Sequence, residues 1–119
     1  MIRLCFFERN GVICGFDCEG HSGYGEKGSD IVCAAVSAAV DLVESTVNDI
    51  AKVGAEVVVD KQKARVRLVL PDKMGKEARP VSESVLLAMY KTLSGYESEY
   101  GKYLSVSKRE IGSEYQNGG

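Results

Sequence analysis

Two apolar runs open the chain, residues 2–8 and 12–18, both rich in Ile, Leu, Val, Phe and Cys, with Asn10-Gly11 between them. Asn-Gly accepts the positive φ angles of a two-residue turn, so the pattern predicts a β-hairpin. With such a turn the facing residues have numbers summing to 21, which sets Cys5 opposite Phe16 and Cys14 opposite Phe7.

Residues 19–29 then hold four of the thirteen glycines and almost no aliphatic anchor, the composition of a flexible loop. From Asp30 the period changes. Val32, Val36, Ala39, Val43, Val47 and Ile50 recur at three- and four-residue spacing and predict an amphipathic helix to about Ala51, closed by Gly54. Asp30 suits its N-cap, because a carboxylate can accept from the unpaired amides of the first turn. Residues 55–60 and 64–70 predict a second strand pair across Lys61-Gln62-Lys63. There Ala64, Val66, Leu68 and Leu70 alternate with Arg65, Arg67 and Val69.

Pro71-Asp72 ends that strand. Val81, Val85, Leu86, Met89 and Leu93 predict a second helix with Pro80 in its first turn and Gly95 near its end. Residues 103–108 complete the pattern as a last strand. The order is ββαββαβ, an α+β two-layer sandwich with two helices packed on one face of a mainly antiparallel sheet. One domain spans residues 1–111, and 112–119 reads as a disordered tail.

Composition narrows the classes of function. The 119 residues are 45% apolar and 27% charged, an ordinary globular balance for a single domain. Fifteen Lys and Arg against seventeen Asp and Glu argue against a protein that coats nucleic acid, which needs a basic excess. The first residues lack a signal-peptide core. No stretch approaches the roughly 20 apolar residues that span a bilayer. The expectation is a cytoplasmic protein without a membrane partner, in a reducing compartment where cysteines stay thiols.

The four cysteines, at 5, 14, 18 and 33, are the candidate chemistry. Cys14, Cys18 and His21 have a tempting zinc spacing. In a strand, however, Cys14 and Cys18 share a face about 13 Å apart, and one tetrahedral zinc needs both sulfurs at about 2.3 Å. No metal and no cofactor are expected. In the predicted register no cysteine faces another, so Cys5, Cys14 and Cys18 read as small apolar strand residues.

Cys33 differs. Capped by Asp30, it would be the third helical residue, where the helix dipole stabilises a thiolate and first-turn amides are placed to hold an oxyanion. Asp30, Cys33 and Ser37 fall on one stripe, and the only histidine, His21, stands across the glycine loop as a potential general base. Spacing alone also allows a buried cysteine with an incidental loop histidine. Gly23-x-Gly25-x-x-Gly28 matches a dinucleotide fingerprint but fails in context. The preceding strand belongs to an antiparallel hairpin, and no second strand lies about 20 residues on.

The run from Gly20-His21 through Asp30-Ile31-Val32-Cys33-Ala34-Ala35-Val36-Ser37 resembles the ribosomal-processing cysteine protease family, also called Prp. Length and element order agree over nearly the whole chain. The resemblance implies Cys33 as nucleophile, His21 as base and Asp30 and Ser37 as supporting positions. Gly20, Ser22, Gly23, Gly25, Gly28 and Ser29 would lie in a loop that meets the substrate. It further implies a homodimer that removes the short N-terminal extension of the bacterial large-subunit ribosomal protein numbered twenty-seven, after a hydrophobic motif ending in Phe-Phe. The partner is then the N-terminal arm of a ribosomal-protein precursor, with no direct contact to nucleic acid. A non-catalytic module holding such a peptide in the same groove is the alternative from a different class.

Overall fold

The computed structural model describes residues 1–20 and 27–112, with the backbone alone at Lys27–Asp30; all of the predicted tail 112–119 except Gly112 lies outside the described residues. The elements follow the predicted order. They are β1 (Ile2–Arg9), β2 (Val12–Glu19), α1 (Lys27–Glu44) with a π-helical turn at Ser45–Ile50, β3 (Glu56–Asp60), β4 (Arg65–Val69), α2 (Ala78–Tyr100) and β5 (Leu104–Glu110). One five-stranded sheet runs β3-β4-β2-β1-β5, with three antiparallel pairings and a parallel one between β1 and β5. This is the expected α+β sandwich. The parallel pairing follows from connectivity: β4 and β5 run the same way, and α2 supplies the long crossover that parallel strands require.

Asn10 and Gly11 take φ of 53° and 78°, the positive values the hairpin turn needs. The register is corrected beyond that turn. Glu8 faces Ile13, but past an irregularity at Phe7/Glu8 the pairs are Phe7 with Gly15, Phe6 with Phe16 and Cys5 with Asp17. Cys14 is the extra residue of a β-bulge, which breaks the two-residue alternation. Ile13, Phe16 and Cys18 therefore join the main core, while Cys14 packs with Phe7, Val69 and Ile111 in a second apolar cluster. Cys14 and Cys18, predicted to share a face, lie in different clusters.

Gly15 is fixed by tertiary contact. A Cβ there would sit 2.3 Å from the Leu68 carbonyl oxygen, so only glycine lets β4 approach β2 at this point.

Val32, Val36, Val40, Val43 and Val47 form the buried stripe of the first helix and pack with Ile2, Leu4, Phe6 and Phe16. Ile50, predicted on that stripe, is 75% exposed. The cause is the π turn, where Ala51 N–H donates to the Thr46 carbonyl five residues back, so the angular advance per residue falls short of an α-helix. Asn48 then pins the exit: its Oδ1 accepts from Ala55 N–H at 2.7 Å and its Nδ2 donates to the Ala55 carbonyl at 3.2 Å. Contrary to the sequence reading, Ile31–Ile50 is long and apolar enough, by length and composition, to cross a bilayer. Here its valine edge lies in the core of the sandwich.

The second helix runs past Gly95 to Tyr100, since a lone glycine weakens a helix without ending it. Pro80 stands in its first turn as predicted. Its buried stripe is Ser82, Leu86, Met89 and Leu93, while Val81 is 46% exposed. Phe6 meets Tyr90 edge to face at 5.2 Å, seating α2 on β1.

Ser82 is fully buried and its hydroxyl has no hydrogen-bond partner among the described residues. Two substitutions separate these effects in urea unfolding. Gly15→Ala should destabilise by about 1–3 kcal/mol through overpacking. Ser82→Ala should stabilise by about 1 kcal/mol, because it removes a desolvated hydroxyl that has no bond to lose.

Candidate active site

Beside α1 the sheet is left partly uncovered, and a groove of about 490 Å³ runs along the helix. Its floor is apolar, formed by Ile2, Cys18, Val36, Val40 and Val66. One wall is the α1 edge carrying Cys33, Ser37, Asp41 and Glu44, and the other is the end of β3 and its turn, Val59, Asp60, Lys61 and Ala64. Val59 pairs with Val66 yet is 60% exposed, because α1 does not reach over the edge strand there.

Cys33 and Ser37, four residues apart on a helix, stack on one side and so line the same groove. Gly20 also lines it. Its φ is +108°, and a Cβ would meet the Met1 carbonyl oxygen at 2.3 Å. Its amide donates to the Ala64 carbonyl at 3.1 Å. The end of β2 is thus tied to both neighbouring strands, and the backbone leaves this tied point directly into His21. His21, Ser22, Gly23 and Gly25 lie outside the described residues. Gly28, Ser29 and Asp30 belong to the first turn of α1, where the backbone alone is described.

The helix start is corrected. α1 begins at Lys27, so Asp30 is inside the helix rather than at its cap, and Cys33 is the seventh residue, not the third. The dipole's influence fades within the first turn. The first-turn amides, proposed as oxyanion donors, precede Cys33 by about 5–9 Å along the axis. What distinguishes Cys33 is therefore its place in the groove wall, half-buried against the core.

The other thiols behave as the strand reading expects. None of the four cysteines is in a disulfide. Burial is the first cause that pushes the Cys18 thiol up from its ordinary 9.0 to about 11, followed by the Asp17 carboxylate and the neighbouring Cys33. Burial also raises Cys14, against the lowering effect of Arg9. Cys18 is in the floor but stays protonated at neutral pH, which makes it a poor nucleophile. Among the described residues no group of His, Cys, Asp and Glu is arranged to hold a metal ion.

Arg65, which also lines the groove, donates to both Asp17 oxygens, through Nε at 2.9 Å and through a terminal nitrogen, and locks β4 to β2. Sequence reasoning missed this clamp and the Val59–Ala64 wall. The clamp joins residues 48 positions apart, the wall lies at least fifteen positions beyond the end of α1, and no local pattern announces such meetings.

The model of the family described as cysteine protease Prp matches residues 1–105. The chain belongs to that family. It is a cysteine protease, and the two-helix, five-strand fold is that of solved family structures. SMU.848 from Streptococcus mutans matches with a TM-score of 0.78 and 19% identity, covering 93% of this chain and 99% of that one. The essential ribosomal processing protease Prp from S. aureus matches in complex with a covalently linked product peptide, at TM-score 0.77, 21% identity and coverage of 92% and 100%. Its complex with a substrate peptide gives the same values, TM-score 0.77, 21% identity, 92% and 100%. At such identities the likeness is one of fold. Among curated proteins, none matches this sequence.

The Cys18 environment has a consequence for stability. Between about pH 9 and 11 the unfolded chain has released the Cys18 proton while the folded chain keeps it. Stability is therefore whole below pH 9 and falls as pH rises through this window, by up to about 3 kcal/mol. Urea midpoints measured from pH 8 to 11 should show that fall, and Cys18→Ala should remove most of it.

Proposed function

We propose that this cysteine protease removes the short N-terminal extension of the bacterial large-subunit ribosomal protein numbered twenty-seven, cutting after a hydrophobic motif that ends in Phe-Phe. Cys33 is the nucleophile and His21 the base. The observation that carries the reading is Cys33 in the wall of a groove that Gly20, the residue joined to His21, also lines.

His21 accepts the Cys33 proton, and the sulfur attacks the scissile carbonyl carbon to form a C–S bond. Collapse breaks the C–N bond as His21 returns the proton to the departing amine. Water, deprotonated by the same imidazole, then cleaves the thioester, releasing a carboxylate and restoring the thiol. Asp30 and Ser37 support this pair. Ser22, Gly23 and Gly25, which join Gly20 after β2 to Gly28 and Ser29 in the first turn of α1, meet the peptide, so that substrate binding completes the site and free proteins are spared.

The apolar floor of Val36, Val40 and Val66 supports an apolar substrate segment. The near-balanced charge supports a protein substrate over a nucleic acid. The enzyme works in the cytoplasm as a homodimer, without metal or cofactor.

The test incubates the purified chain with the precursor and locates the cut by mass spectrometry. Wild type should release the extension at one bond after Phe-Phe. Cys33→Ala should lose at least 1000-fold in rate while keeping its urea midpoint within about 1 kcal/mol. Retained cleavage in that variant would overturn the assignment.

A further inference from the structure

Cys33, Ser37, Asp41 and Glu44 follow one another at four, four and three residues along α1, and all line the same groove. The groove is therefore a track that starts at the thiol and passes two carboxylates. Eight residues of helix place Asp41 about 12 Å from Cys33, and eleven place Glu44 about 16 Å away. An extended peptide advances about 3.3 Å per residue. Residues four to five positions from a bond held at Cys33 thus come beside these carboxylates.

The other charges along the groove are mostly engaged. The Asp60 carboxylate accepts from the Gln62 and Lys63 amides at 3.1 and 3.2 Å and so shapes the β3–β4 turn. The Arg65 guanidinium is held by Asp17. Asp41 and Glu44 have no hydrogen bond or ion pair among the described residues, and face one ammonium, Lys61, on the opposite wall. A groove with an apolar start and an acidic continuation complements a peptide that is apolar near the cut and basic further on.

We propose that Asp41 and Glu44 are specificity-determining residues that receive a lysine or arginine side chain of the substrate, about four to five residues from the bond cut. This rests on the peptidase reading above and deepens it. Proteins that bind ribosomal RNA carry Lys and Arg to neutralise phosphate, so a basic residue near the end of such a chain is a feature that the pair can read.

The test is a peptide series cut by wild type, Asp41→Asn, Glu44→Gln and the double variant. A single lysine is moved stepwise outward from the scissile bond on either side, with the hydrophobic Phe-Phe motif kept before the bond and glutamine at the remaining varied positions. The expected result is a kcat/KM loss of about threefold to tenfold in the double variant, carried by KM. It should be confined to peptides with lysine four to five residues from the cut on one side, and erased by 0.5 M salt. Equal cleavage of every peptide by wild type and the double variant overturns the proposal, as does a loss that is the same with glutamine throughout. Failure of wild type to cut any peptide overturns the peptidase reading itself, and this proposal with it. Unfolding midpoints of all variants distinguish lost recognition from lost fold.

Discussion

The seating of α1 on the sheet sets the geometry of everything on that face. Val32, Val36, Val40, Val43 and Val47 are short side chains, so the helix axis lies close over Ile2, Leu4, Phe6 and Phe16. Close packing of this kind tolerates little movement. The residues on the flank of that stripe, Cys33 and Ser37 among them, inherit its rigidity without being enclosed by it. The helix covers the middle of the sheet and stops short of the edge strand β3, so a trough remains between them. The groove is what the packing leaves open.

The sheet is held to the same tolerance at two glycines. At Gly15 the Leu68 carbonyl, and at Gly20 the Met1 carbonyl, occupy the space where a side chain would stand. These contacts fix where β2 ends, and with it where the backbone departs toward His21. The Asp17–Arg65 clamp holds β4 against the same segment. Peptide hydrolysis by a thiol demands that separate parts of the chain keep a common register to within fractions of an ångström. Bracing the strand that leads to His21 and the helix that carries Cys33 against one core suits the roles proposed for those two residues.

Much of this was legible in the sequence. Asn10-Gly11 announced its turn because the φ preference is local. The valine period announced α1, and Pro80 the start of α2. The i, i+4 spacing of Cys33 and Ser37 placed them on one side of a helix, where they line one groove. What was not legible came from contacts remote in sequence. The bulge at Cys14 follows from the close approach of β4, fifty residues on, and it moved Cys5 from Phe16 to Asp17. The start of α1 at Lys27 is not marked by an apolar position, since its first turn carries no member of the valine stripe. The parallel pairing of β5 and the Val59 wall depend on strand order. Val81 and Ser82 exchanged their expected places because a one-residue rotation of α2 is decided by the sheet below.

The π turn at Ser45–Ile50 has a meaning for how such a chain can change its length. A helical segment wound at five residues per hydrogen bond holds one residue more than an α-helix of the same path. Loss of a single residue there would relax the backbone into ordinary α winding, leaving the upstream helix in place. The same loss between Cys33 and Val43 would turn half of the valine stripe by about 100° and part the thiol from its neighbours. Tolerance to insertion and deletion is thus distributed unevenly along one continuous helix, with the slack stored at the end farthest from the thiol.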